Sequence, residues 1–289
     1  MAALREADLA RETYRHLRMI LVALAAFLLI GSIFGLVFFG KFEGSISANY
    51  LGPLRDVFVA ALVGIAVCLV AYRGRTLEDF ALNLAGFYAL FVAFVPTDLD
   101  DTLRGITDPA IREEMVNGIR VSTISVLVAA VVLVIAEKLT GNWPGDALGS
   151  KPKKAKGFYR LSWLLAAVFV ALLVYRIWEG TDFAWIHYAA TFGLIISMSV
   201  AVACNGWPKA AGEDDLPDQS LYKWIAVGMT LGGIAVLLLA YWLFRGYHVA
   251  IAEWWEVGLF LIFWVRETIR NWDSPARAKK AAEAAAGAV

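Results

Sequence analysis

The chain has 289 residues, of which 60% are hydrophobic and only 18% charged, and its 26 basic and 26 acidic side chains cancel. A charged fraction well below the roughly 25% of a soluble domain makes lipid the expected solvent. Nucleic acid is not an expected partner. Cys68 and Cys204 both lie in apolar runs without a CxxC pair, so they read as small hydrophobes rather than a disulfide or thiol metal site.

Residues 1–18 mix both charge signs and precede an apolar run too long for a signal peptide, which makes them an N-terminal cytoplasmic segment. Spanning hydrocarbon takes about 20 helical residues, somewhat fewer where flanking cations snorkel. On that basis the sequence predicts eight spans: 19–40, 57–72, 80–97, 122–136, 161–175, 183–205, 224–244 and 248–264. The fold class is therefore all-α, a polytopic integral membrane helical bundle of about eight transmembrane helices. The eighth span is the least regular, because it carries Glu253 and Glu256. Residues 19–137 form a first four-helix half and 161–272 a second. Between them, 138–160 is a Gly/Pro/Lys-rich linker, and 273–289 is an Ala/Lys-rich tail. The linker's KPKKAK could touch anionic lipid, although basic loops on the inner side need no such role.

Lys and Arg placement sets the expected orientation. With the N-terminus inside, 19 of the 26 cations fall on the cytoplasmic side, and removing the eighth span would strand the basic tail outside. Both termini are expected in the cytoplasm, in the plasma or inner membrane. Membrane lipids are the expected partners, with another membrane protein or a second copy as further candidates. Trp242, Trp254, Trp255, Trp264 and Trp272 read as interface belts. Asn83, beside Gly86, reads as an interhelical hydrogen bond.

Polar residues gather toward the expected outer face. Arg55 and Asp56 open the second span, Asp98 closes the third and Arg120 opens the fourth; His187 begins the sixth, and His248, Glu253 and Glu256 enter the eighth. Glu256 lies eight residues past His248, about 12 Å deeper at 1.5 Å per residue. A lone carboxylate there costs at least ~2.5 kcal/mol on insertion scales, so it is expected to face the bundle interior. Arg55 and Arg120 are its candidate ion partners.

Three readings of this constellation stay open, and a fourth accompanies them. It ties helix ends together; it binds a lipid headgroup or cation through Ser47, Arg55, Asp56, Asp98, Arg120, His187, His248, Glu253 and Glu256; or it holds a divalent metal on His187, His248 and Asp98 for a membrane-embedded hydrolase acting on lipid. The fourth is ion or proton movement through Glu256. The binding or accessory role is the favoured expectation.

The first outer loop reads Ser45-Ile46-Ser47-Ala48-Asn49-Tyr50 and is followed by Arg55-Asp56-Val57-Phe58-Val59, Tyr72-Arg73-Gly74, Asn83-Leu84-Ala85-Gly86 and Phe94-Val95-Pro96-Thr97. This succession resembles a family of uncharacterised bacterial multipass membrane proteins with SISxYY, RDxFVG, YRG, NLAG and FPT blocks. The chain departs from the pattern at Asn49, at Ala60 and at Val95, which interrupts the last block. The resemblance implies a multipass fold and no particular activity. A more distant similarity is to the alkaline ceramidases and the progestin/adiponectin receptors. Their paired C-terminal histidines have no counterpart here, so their zinc chemistry is not carried over.

Overall fold

Hydrocarbon offers no partner for a peptide N–H or C=O, so a segment that crosses it must pair its backbone internally, and a helix does this within one segment. The computed structural model describes residues 2–40, 44–141, 153–211 and 219–272, and among these it is helical without strands. The elements are α1 (Ala2–Phe39), a 3₁₀ turn (Ser47–Leu51), α2 (Arg55–Ala71), α3 (Thr76–Phe94), α4 (Leu99–Gly105), α5 (Pro109–Leu139) and α6 (Lys153–Glu179). They continue with α7 (Phe183–Gly206), α8 (Pro208–Ala211), α9 (Gln219–Val227), a π-turn (Gly228–Gly232), α10 (Gly233–Leu243) and α11 (His248–Trp272).

Seven segments among the described residues are long and apolar enough to cross a membrane: α1, α3 with α4, α5, α6, α7, α9 through α10, and α11. The remaining expected span, α2, has 17 residues, or about 25 Å of rise, which is at the short end of what a bilayer accepts. This is a multi-pass membrane protein with an all-α bundle.

Long-range hydrogen bonds sort the connections into two ends. At the proximal end, which bears the start of α1, Arg15 donates to the Trp272 carbonyl at 3.1 Å and Arg73 meets Glu137 at 2.9 Å. At the distal end, the Ala250 N–H donates to the Gly44 carbonyl at 2.9 Å, and the Ala184 N–H to Asp100 Oδ2 at 3.1 Å.

Helix α3 is the centre of the bundle. Most of its side chains are buried, between α2 on one side and α7 on the other. α1 packs on α2 and α11, α9 on α7, and α10 on α11, while α5 and α6 attach at the periphery. The first and second stretches of four spans thus meet intimately through the α3–α7 and α1–α11 pairs. The distal half of the core is aromatic: Phe87, Tyr88, Phe91 and Phe169 pack edge to face with ring centres 4.9–6.2 Å apart. Leu21, Leu69, Leu82, Met198, Tyr222, Phe263 and Trp264 fill the proximal half. Outward rows such as Val128, Val131, Val132 and Ile135 on α5, and Leu164, Leu165 and Leu172 on α6, stay exposed, an apolar surface suited to lipid.

Several boundaries differ from the sequence expectation. The fourth span starts at Pro109, because the Asp108 side chain caps the Ala110 N–H at 2.9 Å and proline suits the first turn. α6 starts at Lys153, inside the expected linker; residues 142–152 and the tail 273–289 lie outside the described residues. The eighth expected span is one unbroken helix of 25 residues. Asn83 has no acceptance partner on its Oδ1, so the expected interhelical hydrogen bond there is not made.

At Gly86 a Cβ would sit 2.8 Å from the Ala66 carbonyl oxygen and 2.7 Å from a Val70 methyl, so α2 and α3 cross closely because this side chain is absent. At Gly118 an added Cβ would meet nothing within 4 Å. Gly86→Ala is expected to lower stability by about 1–3 kcal/mol through overpacking, whereas Gly118→Ala leaves it unchanged or raises it by a few tenths to ~1 kcal/mol. Thermal unfolding of the two variants in the same detergent checks this difference.

Candidate functional site

The distal site is built around the first turns of α11. The Gly44 carbonyl accepts from the Ala250 N–H, which anchors the chain between α1 and α2 over the start of α11. A Cβ on Gly44 would lie 2.8 Å from the Gly246 carbonyl oxygen, so this approach needs glycine. The next residues fold around Glu253. Ser45 Oγ donates to its carboxylate at 2.9 Å, the Ile46 N–H donates to Oε2, and Ser47 Oγ lies 3.3 Å from Oε1. Ser47 Oγ is in turn 3.2 Å from Thr97 Oγ1, at the end of the third span. One carboxylate and three hydroxyls thus come from four places in the chain: residues 45 and 47, residue 97 and α11. Ser47 and Thr97 are buried. No ion pair reaches Glu253 among the described residues. Neutral donors hold its charge.

The other expected site residues go elsewhere. Arg55 donates to Tyr50 Oη at 3.3 Å and lies over that ring, 4.8 Å from its centre. It borders an open cleft of about 500 Å³ between the 3₁₀ turn, Leu99 and the first turns of α5, which also includes Glu114 and Met115. Asp56 and Asp98 are exposed. Arg120 does not reach a glutamate: it donates to the carbonyls of Ile177 and Trp178 at 3.1 and 2.9 Å, fastening α5 to the end of α6. Its geometry suits carbonyl oxygens because a guanidinium offers several diverging N–H groups.

The expected metal set is not assembled. His187 is fully buried on α7, where its Nδ1 donates to the Val95 carbonyl at 2.6 Å. His248 faces Tyr241 on α10, ring centres 5.3 Å apart. No group of three His, Cys, Asp or Glu side chains among the described residues could hold a metal ion. Each histidine is drawn to its own neighbour on a different helix, so His187, His248 and Asp98 do not converge. Glu256 does face the bundle interior, as its desolvation cost requires. Its Oε1 occupies the space a Cβ of Gly233 would need, and its Oε2 has no hydrogen-bond partner.

A second polar site, at the proximal end, was not singled out from sequence. Arg75 donates through Nε to Glu78 at 3.4 Å and through Nη2 to the Cys204 carbonyl and Asn205 Oδ1, at 3.0 and 2.9 Å. Arg270 donates to the same Asn205 Oδ1 at 3.1 Å and pairs with Glu267 at 2.8 Å. Asn205 Nδ2 donates to Glu78 at 2.8 Å, and Arg18 reaches Tyr72 Oη at 3.5 Å. Glu78, Asn205, Glu267 and Arg18 are all buried. Beside this network Arg73 bridges Asp79 at 3.1 Å and Glu137 at 2.9 Å. Burial works against its charge, but the two carboxylates outweigh this and raise its pKa further. The sequence signals were present: Glu78 and Glu267 each stand at i,i+3 from an arginine, and Asn205 ends an otherwise apolar helix.

No family model, curated protein or solved structure matches the chain.

Removing the Glu253 carboxylate would leave the Ile46 N–H and the Ser45 hydroxyl facing a void. Glu253→Ala is expected to destabilise the protein by about 1–3 kcal/mol. Glu253→Gln, which keeps an acceptor, is expected to lose less. Detergent-solubilised thermal melts of the pair separate the loss of hydrogen bonds from the loss of charge.

Proposed function

We propose that this chain is a membrane-embedded binding protein for a hard, monovalent cation, held at the distal end by the Glu253 carboxylate and the hydroxyls of Ser45, Ser47 and Thr97. The carrying observation is a carboxylate surrounded by hydroxyl oxygens without a side-chain cation beside it among the described residues. Hard cations take oxygen ligands. A hydroxyl can donate to the carboxylate while its lone pairs face an ion, and a single carboxylate balances a single positive charge. The lipid-headgroup alternative draws less support, because the guanidinium groups of Arg55 and Arg120, which an anionic headgroup would need, are directed to Tyr50 and to the backbone at the end of α6.

A second reading, cation- or proton-coupled transport, is favoured by Glu256. It lies three residues deeper than Glu253 and has an unpartnered oxygen in the middle of the bilayer-spanning helix. Flux into liposomes that disappears with Glu256→Gln would support that reading, whereas ion binding without flux would leave the binding role alone.

We also infer that the protein sits in a plasma or inner membrane with its proximal end in the cytoplasm, on the strength of the basic residues gathered there. A cysteine at Asp101 is then expected to react with a membrane-impermeant maleimide in intact cells, and one at Lys209 only after lysis.

The cation reading is tested by melting purified protein in sodium, potassium or choline chloride at constant ionic strength. A metal cation at 100 times its Kd is expected to stabilise the protein by about 2.7 kcal/mol over choline, and Glu253→Gln and Thr97→Val to abolish the difference. Equal melting in all three salts, or an ion effect that Glu253→Gln leaves intact, would rule the site out.

A further inference from the structure

The proximal network contains more donors than acceptors. Arg18, Arg75 and Arg270 bring three positive charges, and Glu78 and Glu267 two negative ones. Arg18 is 7% exposed and Trp264 0%. Even so, among the described residues Arg18 Nε, Arg75 Nη1, Arg270 Nη1 and Trp264 Nε1 are buried without a hydrogen-bond acceptor. One unmet buried donor costs ~1–3 kcal/mol, and native interiors leave few of them. Four in one network call for an acceptor beyond the described residues.

The orphaned groups belong to one cluster. Arg75 and Arg270 converge on the same oxygen, Asn205 Oδ1, which brings their guanidinium groups side by side. Arg270 also pairs with Glu267, and Glu267 lies within the electrostatic reach of Arg18 and Glu78. Trp264 packs edge-on against Tyr72 with ring centres 5.1 Å apart, and Tyr72 Oη accepts from Arg18. The donors come from α1, from the turn between α2 and α3, and from α11. This arrangement can meet the oxygens of one compact ligand from several sides.

We infer that the proximal end binds a phosphate group. The missing partner must supply several acceptor oxygens and negative charge, and guanidinium groups match phosphate oxygens in both charge and geometry. A carboxylate offers only two oxygens for four separate N–H groups. Glu78 accepts from Arg75 and Asn205, Glu267 Oε2 accepts from Arg270 and Asn271, and Glu267 Oε1, 2.8 Å from Arg270 Nη2, makes no hydrogen bond, so among the described residues the four nitrogens stay unclaimed. The phosphate can come from a soluble phosphate or phosphoester, or from a phospholipid headgroup, because the cluster sits at the helix ends where a bilayer's own phosphates lie. This site is independent of the distal cation site and shares no residue with it.

The test uses full-length protein in detergent and in nanodiscs. Inorganic phosphate is titrated against sulfate and chloride at constant ionic strength. In parallel, nanodiscs of phosphatidylcholine alone are compared with nanodiscs containing phosphatidic acid or phosphatidylglycerol, and native mass spectrometry reads the lipid retained. Trp264→Phe deletes one orphaned N–H while keeping the ring, and Arg75→Gln deletes a charge. Each is expected to weaken binding by about tenfold or more, since tenfold corresponds to ~1.4 kcal/mol and one lost hydrogen bond to a charged group falls in that range. Stabilisation by inorganic phosphate identifies a soluble ligand, and retention of acidic phospholipid identifies the headgroup. Either supports the inference if Trp264→Phe, eluting as a folded monodisperse species, loses it. No binding in either arm, or binding that Trp264→Phe and Arg75→Gln both leave unchanged, would overturn it.

Discussion

A charge carried into hydrocarbon must be met by a partner, and this requirement is most concentrated on α11. That helix brings Glu253, Glu256, Glu267 and Arg270 into a bundle whose other long helices are largely apolar. Its placement against α1 and α10 follows from the need to turn those groups away from lipid. Glu253 fastens α11 to the segment between α1 and α2, and Glu267 with Arg270 fastens it to α7 through Asn205. The helix is held at both ends by polar bonds and along its middle by Phe260, Phe263 and Trp264.

The two ends solve the same problem with opposite chemistry. At the distal end a carboxylate is satisfied by hydroxyls and a backbone amide, so the surroundings are rich in oxygen. At the proximal end guanidinium groups outnumber carboxylates, so the surroundings are rich in N–H. Cations near one face and acids near the other follow the inward bias of positive charge in membrane proteins. That bias alone needs only solvated residues at the surface. Burial of Arg18, Glu78 and Glu267 goes further, because each must then find specific partners at the right distance.

The helices were legible in the sequence because apolar length is a one-dimensional property. The uncharged stretch between Arg18 and Lys41 could only be a span, and the tally of cations by side required the last apolar stretch to cross. Helix ends outside the bilayer were less legible. Apolar length says nothing about the stretch of α5 from Pro109 to Val121 that precedes the expected fourth span, and this follows from the Asp108–Pro109 start. The candidate site was only partly legible. The outward cluster of polar residues was visible, but sequence depth does not say which way a side chain points around its helix. Ser47 and Glu253 meet, whereas His187 and His248 turn toward Val95 and Tyr241. The proximal network was not legible, because arginines at helix ends already follow from the inward bias of positive charge, which carries no information about burial.

The π-turn at Gly228–Gly232 separates α9 from α10 within one continuous rod. Its extra residue advances the phase of everything beyond it by about 100° relative to an unbroken α-helix, and the Gly228 carbonyl it releases accepts from Trp255 Nε1 at 2.9 Å. The rod can therefore offer Tyr222, Ile225 and Met229 to one neighbour and the bare backbone of Gly232 and Gly233 to another, which a uniform helix of this sequence could not do. Deleting a single residue here would restore regular winding and swing the remaining turns through more than a quarter of a circle. Gly233 would leave the carboxylate of Glu256, and a bulkier neighbour would arrive in its place. Length at this point of the chain is thus as constrained as residue identity.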